Sequence, residues 1–154
     1  MMYKLNNKGF TLIELLIVIV ILGILAVAVL SAINPVEQIR KATDSGKKSD
    51  AAELLNAYER YYTTFQKYPW EILGQTAPSA SPANSASAAV GELATKNEVK
   101  AEFQNRKNLP NLLVTLDASN LVHVCFVPES ASFKAQANKD ASGGTGTTHI
   151  CVPE

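Results

Sequence analysis

The chain has 154 residues, which suits one small domain plus an anchoring segment. Lysine plus arginine and aspartate plus glutamate balance at fourteen each, so no basic excess argues for a dedicated nucleic-acid surface. The apolar fraction of 47% is inflated by one N-terminal run and by alanine.

Residues 1–9, MMYKLNNKG, form a short basic leader carrying Lys4 and Lys8 and no acid. Removing it leaves twelve cations against fourteen acids, a side-chain balance of −2. From Phe10 to Ile33 the next 24 residues carry a single charge, Glu14. At 1.5 Å per residue such a helix spans about 36 Å, enough to cross a hydrocarbon layer of about 30 Å. An ordinary secretory signal is cut after its apolar region at a small-residue site, and the residues around Ala26, Ala32 and Pro35 offer no clear A-x-A pattern. Lys4 and Lys8 precede the run but Arg40, Lys41, Lys47 and Lys48 follow it, so charge alone does not orient the span.

An acid inside such a run costs about 2.5–3.5 kcal/mol at mid-bilayer and less near its edge, where Glu14 sits. The plain reading is a tolerated edge residue. The functional one is a partner for a cation: cutting after Gly9 would give Phe10 a free α-amine four residues from Glu14. That amine pairs within the chain or with a staggered neighbour, and pairing between chains would set a helical register.

Beyond the run, Asn34-Pro35 predicts a bend, because proline lacks a helical N–H and disfavours α-helix at the residue before it. Gly23 is a weaker point within the span. Ala51, Leu54, Leu55, Tyr58, Tyr61, Tyr62 and Phe65 recur at spacings of three and four, the pattern of an amphipathic helix with one buried face. Asp44-Ser45-Gly46 marks a possible break in it. Pro69, in Lys67-Tyr68-Pro69-Trp70, ends it. The aromatic cluster reads as core against a sheet, ahead of a sugar-stacking surface or an electron path.

Residues 74–91, GQTAPSASPANSASAAVG, hold no charge and read as a surface connector, with Ser79, Ser81, Ser85 and Ser87 as acceptors if O-linked sugar is added. Residues 91–108 predict a short, mostly exposed helix with Leu93, Val99 and Phe103 as its large apolar residues. NLLVTL and LVHVCFV predict two strands joined at Asp117-Ala118-Ser119-Asn120. Residues 132–137 carry a weak third strand signal, residues 138–148 a polar loop, and 149–152 a last strand. Cys125 and Cys151 admit a disulfide closing a loop of 26 residues, two free thiols, or a metal site, for which the C-x-x-C spacing is missing. The fold class is therefore α+β: a long N-terminal helix, half membrane-spanning and half amphipathic, on a small antiparallel sheet. The divisions fall at 1–9, 10–33, 34–70, 71–110 and 111–154.

No constellation for catalysis is present: His123 and His149 stand outside any H-E-x-x-H, and Gly143-Gly144-Thr145-Gly146 lacks the lysine of a phosphate loop. His123 reads as a structural strand residue and Lys47-Lys48 as a solvated face. The expectation is a protein that is not an enzyme, with no cofactor and no metal.

KGFTLIELLIVIVILGILA resembles the N-terminus of type IV pilins and of the pseudopilins of type II secretion, at Lys8, Gly9, Phe10, Thr11, Leu12, Ile13 and Glu14. The resemblance covers residues 8–35 closely and the rest only in layout. It implies cleavage between Gly9 and Phe10 by a prepilin peptidase, N-methylation of Phe10, and Glu14 holding a neighbouring subunit's amine. It further implies storage in the cytoplasmic membrane with the N-terminus inside, then extrusion as a helical homopolymer by an assembly ATPase and a platform membrane protein. In such proteins a glycine-to-proline stretch, here Gly23 to Pro35, can lose helix on assembly. The cysteine pair favours a pilin; a secretion pseudopilin is the alternative. The different-class alternative is a monomeric membrane-tethered extracytoplasmic binding domain.

Overall fold

The computed structural model describes residues 9–84 and 87–153; the leader up to Lys8, and Ser85 in the connector, lie outside the described residues. The chain divides into two units after Val36. The first holds helix α1, Leu12–Ala32. Thr11, extended at φ −79° and ψ 152°, caps its start, and Ile33, extended at φ −100° and ψ 122°, ends it. Not one of its residues is buried. Helix α2, Pro35–Phe65, begins on the proline itself, where the absent N–H costs nothing.

The second unit is the head. Its elements are α2 from Glu37 onward, α3 (Pro69–Ile72), β1 (Ser81–Pro82), α4 (Ser87–Thr95), β2 (Leu112–Leu116), β3 (Val122–Phe126), α5 (Ala131–Lys134) and β4 (Ile150–Val152), with 3₁₀ turns at Ala101–Asn105 and Leu109–Asn111. The sheet order is β1-β2-β3-β4, antiparallel at each pairing. The β2–β3 hairpin pairs Leu112 with Phe126 and Leu116 with Val122. Its turn is shaped by Asp117, whose Oδ1 accepts from the N–H groups of Ser119 and Leu121 at 2.8 and 2.9 Å. Asn120 closes it at φ +66°, a conformation asparagine tolerates better than most residues.

Helix α2 lays Ala51, Leu54, Tyr58 and Tyr61 into the core, where they meet Phe103, Leu112, Val114 and Phe126. All five residues of β3 are buried, because the strand is covered on both faces while Leu121 and Val127 at its ends stay exposed. Fully burying one such side chain is worth about 1.5–3 kcal/mol. Cys125 and Cys151, opposite each other across β3 and β4, are joined by a disulfide.

Four expectations from the sequence are corrected. The helix expected over residues 91–108 is not one helix: α4 ends at Thr95, Asn97 turns the chain at φ +61°, and only the 3₁₀ turn Ala101–Asn105 follows. Asp44-Ser45-Gly46 is not a break: the helix runs through it, because Asp44 is bonded outward to the head rather than to its own backbone. The 74–91 connector is not all surface loop: Ser81–Pro82 adds an edge strand to β2, Ala83 N–H donates to Leu112 C=O at 2.8 Å, and α4 starts at Ser87 with Ala89 and Val90 buried. Residues 132–137 hold no strand: Ser130 caps α5, its hydroxyl accepting from Phe133 N–H at 3.4 Å, and turns the chain helical.

Candidate assembly and processing site

The N-terminal site is built by one helix start. Gly9 and Phe10 belong to neither helix nor strand, and Phe10 is 91% exposed. Thr11 and Glu14 form a reciprocal cap. The Thr11 hydroxyl accepts from Glu14 N–H at 3.3 Å, and Glu14 Oε2 accepts from both Thr11 N–H and Thr11 Oγ1 at 2.8 Å. Such a box satisfies two of the four N–H groups that every helix start leaves without partners. It also pins the carboxylate beside the peptide that follows Phe10. Both bonds fall on Oε2. At 1.5 Å per residue the 21 residues of α1 span about 32 Å, long and apolar enough to cross a membrane. A Cβ added at Gly23 meets nothing within 4 Å, so packing does not demand glycine there.

The head carries a second polar constellation that the sequence did not announce. Asp44, Lys47 and Asp50 on α2 are buried, so Lys47 does not belong to a solvated face. The Asp44 carboxylate accepts from Glu129 N–H at 3.0 Å, Ser130 N–H at 2.8 Å and Ser130 Oγ at 2.7 Å. Lys47 Nζ donates to Glu129 Oε1 at 2.6 Å and to Val127 C=O at 3.3 Å. Burial pushes the Asp44 carboxyl up, but the Ser130 and Glu129 donors and Lys47 outweigh it and hold the group below the usual carboxylate range. Glu37 Oε1 accepts from Ala131 N–H at 2.6 Å, one residue further on. Asp50 receives Arg106 at 2.6 Å and Asn108 at 2.8 Å, and Arg106 also reaches Glu53. A signal did exist: positions 44, 47, 51, 54, 58 and 61 form one stripe at spacings of three and four, so the polar residues at its start were marked for burial.

In the C-terminal loop Asp140 Oδ1 accepts from Ser142 N–H, Ser142 Oγ and Gly144 N–H, and its carboxyl is thereby held below the usual range. His123 Nε2 lies 3.2 Å from Asp117 Oδ2, and its ring packs under Gly143. Among the described residues, no three His, Cys, Asp or Glu side chains cluster as metal ligands.

Comparison with known proteins bears on the N-terminal site first. Residues 4–30 match the family model described as the prokaryotic N-terminal methylation motif, so the chain carries a prepilin-type start. It is also 39% identical over 85 residues to "Type II secretion system core protein G" of Aeromonas hydrophila, an alignment covering 53% of this chain and 58% of that protein. The chain thus spans a little over half the length of the curated relative it matches. No solved structure matches.

Proposed function

We propose that the chain is a structural subunit of a helical filament of the type IV pilus class, made as a single-pass membrane precursor. Prepilin peptidase cuts between Gly9 and Phe10, Phe10 is N-methylated, and a neighbour's amine then meets Glu14. The observation that carries this reading is a fully exposed apolar helix whose first turn holds the only acid of the span, inside a matched methylation motif. Such a helix leaves lipid for an equally apolar bundle of its own copies at little cost in hydrophobic free energy. An assembly ATPase and a platform membrane protein supply the work of extrusion.

A pseudopilin of type II secretion is the second reading, favoured by the similarity to core protein G. The two differ in readout: loss of a pilus subunit removes surface fibres, whereas loss of a pseudopilin traps exported proteins inside the outer envelope. Intact mass and N-terminal sequencing of the chain from its native membrane test the shared reading. The expected chain starts at methylated Phe10. A chain starting at Met1, or after Ile33, overturns it.

A further inference from the structure

The two ends of the head differ in charge and carry apolar residues at their centres. At the C-terminal end of α2, the rings of Tyr62 and Tyr68 lie 4.7 Å apart, and Tyr68 stacks on Trp70 at 4.7 Å. Tyr62 and Phe65 stay more than a third exposed, and Ile72 at the end of α3 and Leu73 just after it more so. Carboxylates surround this face. Burial first, then the Tyr62 phenol and the charges of Glu59, Glu71 and Asp117, hold the Tyr68 phenol above its usual range. The face already takes one cation from its own chain, since Lys96 Nζ sits 5.5 Å from the Phe65 ring centre. Lys67 is the only base between Arg60 and Lys96 in sequence.

At the other end, Val127 and Pro128 line a shallow cleft of about 350 Å³ with Arg40, Glu129 and Lys134. Arg40 and Lys134 are exposed and Val127 is 54% exposed. The acids at this end are engaged from within the head: Glu129 takes buried Lys47 at 2.6 Å, a lysine it shares with Asp44 at 3.8 Å, and Glu37 takes Ala131 N–H at 2.6 Å. The cleft is therefore apolar in its middle, with the two exposed cations Arg40 and Lys134 on its rim.

We propose that the acidic aromatic face at Tyr62 and Tyr68 docks the basic Arg40–Val127–Lys134 cleft of a second copy of this chain. This rests on the filament reading given above. Two unlike patches on one molecule make a heterologous contact, which propagates as an open helical polymer, whereas a self-complementary patch closes into a dimer. Opposite charge at the rims fixes the pairing and rejects like ends. Tyrosine faces flanked by carboxylates suit arginine and lysine heads. The patches lie 22 residues apart on α2, so the copies in contact are offset by about 33 Å along that helix.

The test places the photo-cross-linker p-benzoylphenylalanine at Tyr62 of the full chain in cells that assemble it. The expected product is a covalent homodimer joining position 62 to a peptide containing Arg40 or Val127–Lys134. Filaments whose position 62 links to another region, or to a different protein, overturn the docking surface and leave the filament reading intact. A processed chain that never polymerises overturns both. A charge swap keeps the test independent of the cross-linker: Glu59→Lys and Arg40→Glu each lower filament yield about tenfold, and together restore it. A double variant that folds and stays as deficient as the singles also overturns the docking surface.

Discussion

Asp44 and Ser130, 86 positions apart, meet through two hydrogen bonds, with the Ser130 N–H at 2.8 Å and its hydroxyl at 2.7 Å both donating to one buried carboxylate oxygen. Together with Lys47 and Glu129 this contact ties the lower half of α2 to the segment entering α5. Replacing Asp44 with alanine strands buried donors on both sides. We expect Asp44→Ala to destabilise the head by about 3–5 kcal/mol, read as a lowered midpoint in denaturant unfolding of the detergent-solubilised chain. An unchanged midpoint would contradict the burial of this pair.

The same contact sets a pH dependence. Asp44, Asp117 and Asp140 all have carboxyls held below their ordinary value in the fold. A lowered folded pKa means the unfolded chain binds the proton first, so the stabilisation is complete above the unfolded value of about 3.9 and is lost as pH falls through the lower folded values. Thermal unfolding should show a flat midpoint from about pH 5 to 7 and a steep loss below about pH 4. Asp44→Asn should flatten that acid limb.

The disulfide between Cys125 and Cys151 closes a loop of sequence separation 26. In the chain-entropy account it is worth about 3.5 kcal/mol. Cys125→Ser with Cys151→Ser should lower the unfolding midpoint accordingly, and a reducing agent should reproduce the loss in the parent chain but not in the double variant. A parent chain indifferent to reductant would argue against the bond.

Gly146 is fixed by backbone rather than by side chains. A Cβ there would meet Asp140 N at 2.7 Å and Lys139 C and O at 2.8 Å. Gly146→Ala should therefore open the small loop in which Lys139 bridges Thr145 and His149. The expected cost is about 1–3 kcal/mol, with hydrogen-exchange protection lost at Asp140 and Gly146 before the rest of the head.

Glu14→Ala should leave membrane insertion and cleavage intact, since the change makes the span more apolar, while filaments are lost. Processed chain detected by mass spectrometry beside an absence of polymer in electron micrographs is the expected pair of results. Normal filaments from that variant would remove Glu14 from assembly. Thr11→Ala separates capping from pairing. It removes both bonds of the Thr11 hydroxyl, a cap worth about 1 kcal/mol, and spares the carboxylate, so polymers should persist.

How much was legible follows from where each signal is local. Helix α1 is carried by composition alone, and Thr11-x-x-Glu14 is a cap readable without any tertiary knowledge. Strands β2 and β3 announce themselves by β-branched residues around an Asp-Ala-Ser-Asn turn. Strand β1 was hidden because its identity lies in pairing: Ser81 and Pro82 have no strand propensity and are held by Val114 and Leu113 opposite. Lys47 was read as solvated and Asp44 as part of a break because their partners, 82 and 85 positions away, leave no local signal. The Ser130 cap lost to an alternating pattern in Ser132–Ala137 that imitates a strand over too few residues.

Helix α1 buries no residue and is apolar on every side between Glu14 and Ser31. Between those two residues the rod has no preferred side and offers its neighbours no azimuthal key. In a fibre of such rods only the Glu14 end would fix the angle of each about its own axis, so the centre would transmit tension better than torque. Twist must then be borne by the heads, and a fibre weakened at its head contacts should remain hard to pull apart while becoming easy to wind.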